Sequence, residues 1–172
     1  MTSGCDNSKS PSVSVAMATC NGDKYLQQQL ESIRNQTVMP SELVVNDDVS
    51  VDNTLEVIRD FGKEAPFPVK IEVNDGRKGV RGNFSLALGR CNGDMVLLAD
   101  QDDVWLPNKV ETAVRTLQEN PTMEVVLTDA LVTNELLECR GLTVQVQSRN
   151  AGEIDTHFVM GACMAVRRRF LH

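Results

Sequence analysis

A chain of 172 residues, 41% hydrophobic and 24% charged, is long enough to bury one sizeable core and too short for two large ones. Its net charge of −7 argues against a nucleic-acid binder working through a basic surface, so an anionic ligand would need locally placed donors or a divalent cation. Five widely spaced cysteines with no CxxC pair argue against a zinc cage or a disulfide framework and point to a reducing compartment.

Residues 1–11 are polar, lack the apolar stretch of a signal peptide and read as a flexible N-terminal segment, which makes Cys5 a poor site for lipidation. VSVAM (13–17) then reads as a buried strand. Leu26, Leu30 and Ile33 recur at helical spacing and predict an amphipathic helix from Asp23 to near Gln36. ELVVN (42–46) is a second strand, and Val51 to Phe61 a second helix with Leu55, Ile58 and Phe61 on one side. VKIEV (69–73) alternates as a third strand, and residues 81–90 supply a third helix. MVLLA (95–99) is apolar on both faces, as a central strand is. Pro107 suits the first position of a fourth helix with Val110, Ala113, Val114 and Leu117 on its apolar side. EVVLT (124–128) is a fifth strand, 131–158 reads as irregular or short-stranded, and GACMAVRRR (161–169) as a strand running into a basic turn. The longest apolar run, FVMGACMAV (158–166), is too short to cross a bilayer, and the chain reads as cytoplasmic. Alternating strands and helices with short connections predict an α/β fold with a mostly parallel, Rossmann-like central sheet flanked by helices.

In such folds ligands bind outside the carboxyl ends of the strands. Both acidic clusters fall there: Asp47 and Asp48 after the second strand, and Asp100, Asp102 and Asp103 after the fourth. TCNG (19–22) follows the first. A single aspartate in this place is as readily a turn former or helix cap, and Asp103, just before the Pro107 helix, reads that way. Asp100 and Asp102 together are different, because crowded carboxylates raise one another's pKa unless a cation compensates. Mn²⁺ or Mg²⁺ takes hard oxygen ligands and shares them with phosphates, so Asp-x-Asp here suits a bridge between metal and diphosphate.

The stretches VSVAMATCNGDKYLQQQLESIRNQT (13–37), ELVVNDDVSVDNTLEVI (42–58), NDGRKGVRGNF (74–84) and GDMVLLADQDDVWLPNKVE (93–111) resemble the family 2 glycosyltransferases, which have the GT-A fold. The branch they look most like is the rhamnosyltransferase-like, cell-surface polysaccharide one. The resemblance covers about residues 12–170 and implies a GT-A nucleotide-sugar-binding domain over 12–172. It implies that Asp102, helped by Asp100, holds Mn²⁺ or Mg²⁺, with Asp100 also at the ribose. Asp48, with Asp47 beside it, would read the base edge. Thr19 and Asn21 would lie against the nucleoside, Gly79 and Asn83 would close over the nucleotide, and Gly161 would sit at the sugar pocket. The implied activity is inverting transfer from a UDP- or dTDP-sugar to a glycan or lipid-linked acceptor, on a protein that is peripheral at the inner face of the membrane. Three departures stand out. Cys20 replaces an aromatic that stacks on the base. Val49 replaces a glycine where a positive φ would strain valine. The catalytic carboxylate of the family is expected beyond His172, which leaves nucleotide-sugar binding without turnover as the alternative.

The remaining signals are weaker. Trp105 could stack on a sugar or simply pack, and RRR (167–169) could meet phosphate or form a solvated turn. GRKGVRG (76–82) lacks P-loop spacing, and His157 and His172 have no partner pattern. No GxGxxG follows the first strand, which counts against a dinucleotide oxidoreductase. The acidic residues are misplaced for a receiver-type signalling domain, and TCNGDK is a poor match to the loop of a nucleotidyltransferase.

Overall fold

Strands β1 (Val13–Thr19), β2 (Glu42–Asp47) and β4 (Met95–Asp100) are almost wholly buried, and they form the middle of a six-stranded sheet. The order is β3-β2-β1-β4-β8-β5, where β3 is Val69–Val73, β5 Val125–Leu127 and β8 Met164–Arg167. The computed structural model describes residues 10–144 and 161–171, so the sequence readings at Cys5, His157 and His172 and over 145–158 lie outside the described residues. β6 (Leu131–Thr133) and β7 (Cys139–Thr143) form a separate two-stranded sheet.

The period of two along each strand sorts its side chains between two layers. Val15 and Met17 of β1, Val45 of β2 and Leu97 and Ala99 of β4 join the larger core cluster. That cluster takes Leu26, Leu30 and Ile33 from α1 (Asp23–Arg34), Ile58 and Phe61 from α2 (Thr54–Glu64), and Val110, Ala113 and Leu117 from α4 (Lys109–Glu119). Full burial of each such aliphatic side chain contributes about 1.5–3 kcal/mol. The intervening residues, Ala16, Val44 and Val96, meet Ala87 of α3 (Gly79–Gly89) in a smaller cluster. Among the described residues, helices therefore flank both faces, three against one.

Three elements depart from the expectation, each for a local reason. β1, β2, β3 and β4 are parallel, but β8 inserts between β4 and β5 and runs antiparallel to both. Pro107 lies before the fourth helix instead of opening it. Residues 103–108 stay non-helical so that Trp105 can enter the core at 4% exposure, with its backbone N–H on Ser32 Oγ at 3.0 Å and the Pro107 carbonyl accepting Thr37 N–H at 2.8 Å. The second helix begins at Thr54, where Asp52 accepts the Thr54 N–H at 3.0 Å, and Val51 is left 86% exposed. No helix among the described residues is long and apolar enough to cross a membrane.

Candidate nucleotide-sugar site

The pairings Thr19↔Asp47, Ala18↔Asp100 and Asp47↔Val73 set the carboxyl ends of four parallel strands level. Four loops consequently leave one rim of the sheet side by side, and every acidic cluster read from the sequence is on them.

The β2 loop is built from the inside outwards. Asp47 is fully buried and accepts from Thr19 Oγ1 at 2.8 Å, Ser50 N–H at 2.8 Å and Ser50 Oγ at 2.6 Å. With no surface and its oxygens engaged, it braces the loop. Thr19, 1% exposed, shares that bracing role. Val49 has φ +59°, the left-handed region that costs a β-branched residue on the order of 1–3 kcal/mol. The Asp47–Ser50 bonds hold the strained turn closed. Asn21, itself at φ +50°, stitches the β1 loop to this turn: its N–H donates to Ser50 Oγ at 2.8 Å and its Oδ1 accepts Val51 N–H at 2.9 Å.

Asp48 faces the start of α3. Its carboxylate accepts the Lys78 N–H at 2.6 Å, the Gly79 N–H at 2.9 Å and the Asn74 side-chain amide at 2.8 Å. Burial opposes its charge, but these donors together with Arg77 outweigh it and hold the carboxyl below its ordinary range. Gly79 enters the helix at φ +71°. Asn83, 2% exposed, is the centre of an amide knot that the sequence reading missed in part. Its Oδ1 accepts from Asn46 at 2.7 Å and from Asn74 at 3.1 Å, and its Nδ2 donates to the Thr19 carbonyl at 3.1 Å. Asn46 and Asn74 thereby lock the ends of β1, β2 and β3 to α3. Their signal was present only as asparagines at strand ends.

On the β4 loop, Asp102 is exposed and Asp100 and Asp103 are half-buried. Burial, then the neighbouring Asp103 and Asp102, push the Asp100 carboxyl up to about 6, against the pull of Lys109. Burial and Asp102 likewise raise Asp103. Asp103 is no helix cap: the residue before α4 is Asn108, and no side chain caps that helix. Nothing in the sequence marks Lys109. Its ammonium donates to the Ala162 carbonyl at 2.7 Å and lies 4.9 Å from the centre of the Trp105 ring. It ties the acidic loop to the Gly161–Cys163 turn and supplies positive charge beside Asp100 and Asp103. Trp105 thus packs, with its ring in the core.

Among the described residues no three His, Cys, Asp or Glu side chains gather as metal ligands. The donor set therefore does not suit an all-protein cage. Carboxylates that crowd one another on one short loop do fit a hard divalent cation whose remaining ligands are oxygens of a bound diphosphate.

A cleft of about 610 Å³ opens between α3 and β4. Asp100 and Gly161 line it together with Arg81, Phe84, Ser85 and Leu98. Cys20, at the position expected of a stacking aromatic, is half-buried, and its Sγ accepts from the Arg77 guanidinium. The basic run divides: Arg167 ends β8 and donates to the Met123 carbonyl at 2.9 Å, while Arg169, 62% exposed, pairs with Glu124 at 2.7 Å.

The chain matches the family model "Glycosyl transferase family 2" over residues 14–172. It belongs to that family. It is 32% identical over 108 residues to the dTDP-rhamnosyl transferase RfbG of Shigella flexneri, covering 60% of this chain and 37% of that protein. It is 31% identical over 108 residues to WfgD of Escherichia coli, a UDP-Glc:alpha-D-GlcNAc-diphosphoundecaprenol beta-1,3-glucosyltransferase, covering 63% of this chain and 42% of that protein. The mannosyltransferase PcManGT of Pyrobaculum calidifontis, solved with GDP-Man and Mn²⁺, superposes with a TM-score of 0.72 at 22% identity, covering 95% of this chain and 46% of that one. That likeness shows the fold, GT-A. This chain spans about a third to just under half the length of the curated relatives it matches.

Proposed function

We propose that residues 12–172 form the donor-binding part of an inverting, metal-dependent glycosyltransferase. It takes a UDP- or dTDP-sugar and passes the sugar to a glycan or lipid-linked acceptor in cell-surface polysaccharide synthesis, at the cytoplasmic face of the membrane. The observation that carries the reading is the level rim of four strand ends. It sets Asp48 and the start of α3 on one side of the first loop and the Asp100–Asp103 loop on the other. The family's membership in glycosyl transfer and the UDP-Glc and dTDP relatives support the choice of donor.

On this reading Asp48 and Asn21 face the nucleoside, with Asp47, Thr19 and Asn83 holding them in place. Gly79 lets the chain turn into α3 so that the helix closes over the nucleotide. Asp102 and Asp100 would hold Mn²⁺ or Mg²⁺, which when bound would supply positive charge to the departing diphosphate. The cleft beside Asp100 and Gly161 receives the sugar. The acceptor hydroxyl gives its proton to a carboxylate base of the kind the family resemblance implies, and its oxygen forms a bond to the anomeric carbon on the side opposite the diphosphate, as that carbon's bond to the diphosphate oxygen breaks.

Calorimetry of UDP and dTDP with and without Mn²⁺ tests the reading. Wild type is expected to bind at least about tenfold more tightly with metal, and Asp102→Ala to lose that gain. Wild-type binding that is the same with and without Mn²⁺, or an Asp102→Ala variant that keeps the full metal-dependent gain, would overturn it.

A further inference from the structure

Gln101 lies between two of the aspartates proposed to hold the cation, but its side chain serves another loop. Its Oε1 accepts the Cys20 N–H at 2.8 Å and its Nε2 donates to the Cys20 carbonyl at 3.1 Å. A carboxamide carries the same donor and acceptor as a peptide group. Gln101 therefore continues the β1–β4 ladder past its last backbone pairing, Ala18↔Asp100, where the two main chains part.

Gly22 makes room for this contact. A Cβ at Gly22 would fall 2.3 Å from Gln101 Oε1 and 2.4 Å from its Cδ. The backbone there, at φ −110° and ψ 8°, is open to alanine, and the Gly22 N–H is already held by Thr54 Oγ1 at 2.7 Å. An added methyl would thus displace the flexible carboxamide and leave the main chain in place.

We propose that Gln101 is a positioning residue that holds the Thr19–Gly22 loop and the acidic loop at one fixed spacing, so that a nucleoside diphosphate meets its nucleoside-side and phosphate-side contacts together. The inference rests on the donor-binding reading above. A ligand that bridges two loops gains from their being prearranged, whereas a ligand that touches one loop does not. Loss of the tie should therefore fall on the whole ligand and spare its halves.

The experiment compares wild type, Gln101→Ala, Gly22→Ala and the double variant. Ligand-detected NMR measures binding of UDP with Mn²⁺, of uridine alone, and of pyrophosphate with Mn²⁺. UDP affinity is expected to fall about tenfold in either single variant and no further in the double, with uridine and pyrophosphate affinities unchanged. Equal losses for UDP and its halves, additive losses in the double variant, or no loss at all would each overturn the proposal. Hydrogen exchange of the unliganded protein supplies an independent arm: the Cys20 amide should exchange faster in both single variants. Should wild type bind neither UDP nor its halves, the donor-binding reading falls and this proposal with it, while the exchange arm still decides whether the tie exists. Unchanged Cys20 exchange in Gln101→Ala overturns the tie even if donor binding stands.

Discussion

Val49 adopts φ +59° in a turn whose two flanking residues, Asp47 and Ser50, are bonded to each other at 2.8 Å and 2.6 Å. The strain is local, since it lies in one dihedral of one β-branched residue, and the bonds that bear it do not involve the Val49 side chain. Val49→Gly removes the steric conflict but increases the chain entropy lost on folding, which offsets part of the relief. The net expected gain is about 1 kcal/mol, read as a higher midpoint in urea with an unchanged slope. A destabilised Val49→Gly protein would mean that the valine side chain has a packing role that outweighs its backbone cost. The acidic residues at this scale were legible as a group and not as individuals. Asp47 and Asp48 are adjacent and chemically identical, and only the fold shows that one is sealed under Ser50 while the other meets the α3 amides. Gln101 and Lys109 were illegible because neither residue type is unusual beside an acidic run. What marks them is reach to Cys20 and to Ala162, which are distant in sequence.

Between elements, Glu42 does at the amino ends of the strands what the asparagine knot does at the carboxyl ends. Buried at the start of β2, it accepts Ser14 Oγ from β1 at 2.6 Å, Lys70 Nζ from β3 at 2.6 Å and the Asn92 N–H before β4 at 2.6 Å. Burial works to raise its pKa, but the Lys70, Ser14 and Asn92 bonds win and hold the carboxyl below its ordinary value. The sign follows from linkage. A depressed folded-state pKa gives stability that is present in full above the unfolded value and lost as the pH falls through the folded one. Glu42→Gln is expected to cost about 1–3 kcal/mol near neutrality, because buried donors lose a charged acceptor. It should also flatten the acid limb of stability against pH, measured by urea unfolding across the acid range. A variant with the wild-type acid limb would place the titrating group elsewhere. ELVVN disclosed a strand, and nothing in it disclosed that the leading glutamate would be buried under three partners.

For the whole molecule, the parallel half of the sheet was readable because each strand is followed by a helix with its own apolar stripe, and that alternation permits little but parallel pairing. The β5–β8 side was not, since β8 reaches its place between β4 and β5 without a crossover helix among the described residues, and a short apolar run carries no sign of its direction. The two halves should also differ in how they open. β1, β2 and β4 are buried on both faces and paired on both sides, so their amides have no route to solvent short of global unfolding. Among the described residues each strand of the β6–β7 pair has one partner, Leu131 and Leu136 are 53% and 78% exposed, and the pair is anchored to α1 through the exposed contact of Glu135 with Lys24 and Tyr25 at 3.2 Å and 3.1 Å. A two-stranded hairpin alone is at best marginally stable, and an exposed ion pair adds at most about 1 kcal/mol. Native-state hydrogen exchange is therefore expected to show β6 and β7 amides opening locally, with little dependence on denaturant. The β1, β2 and β4 amides should merge with the global unfolding line. Protection of β6 and β7 equal to that of the central strands would show that the hairpin is packed against more of the protein than its contacts with α1 indicate.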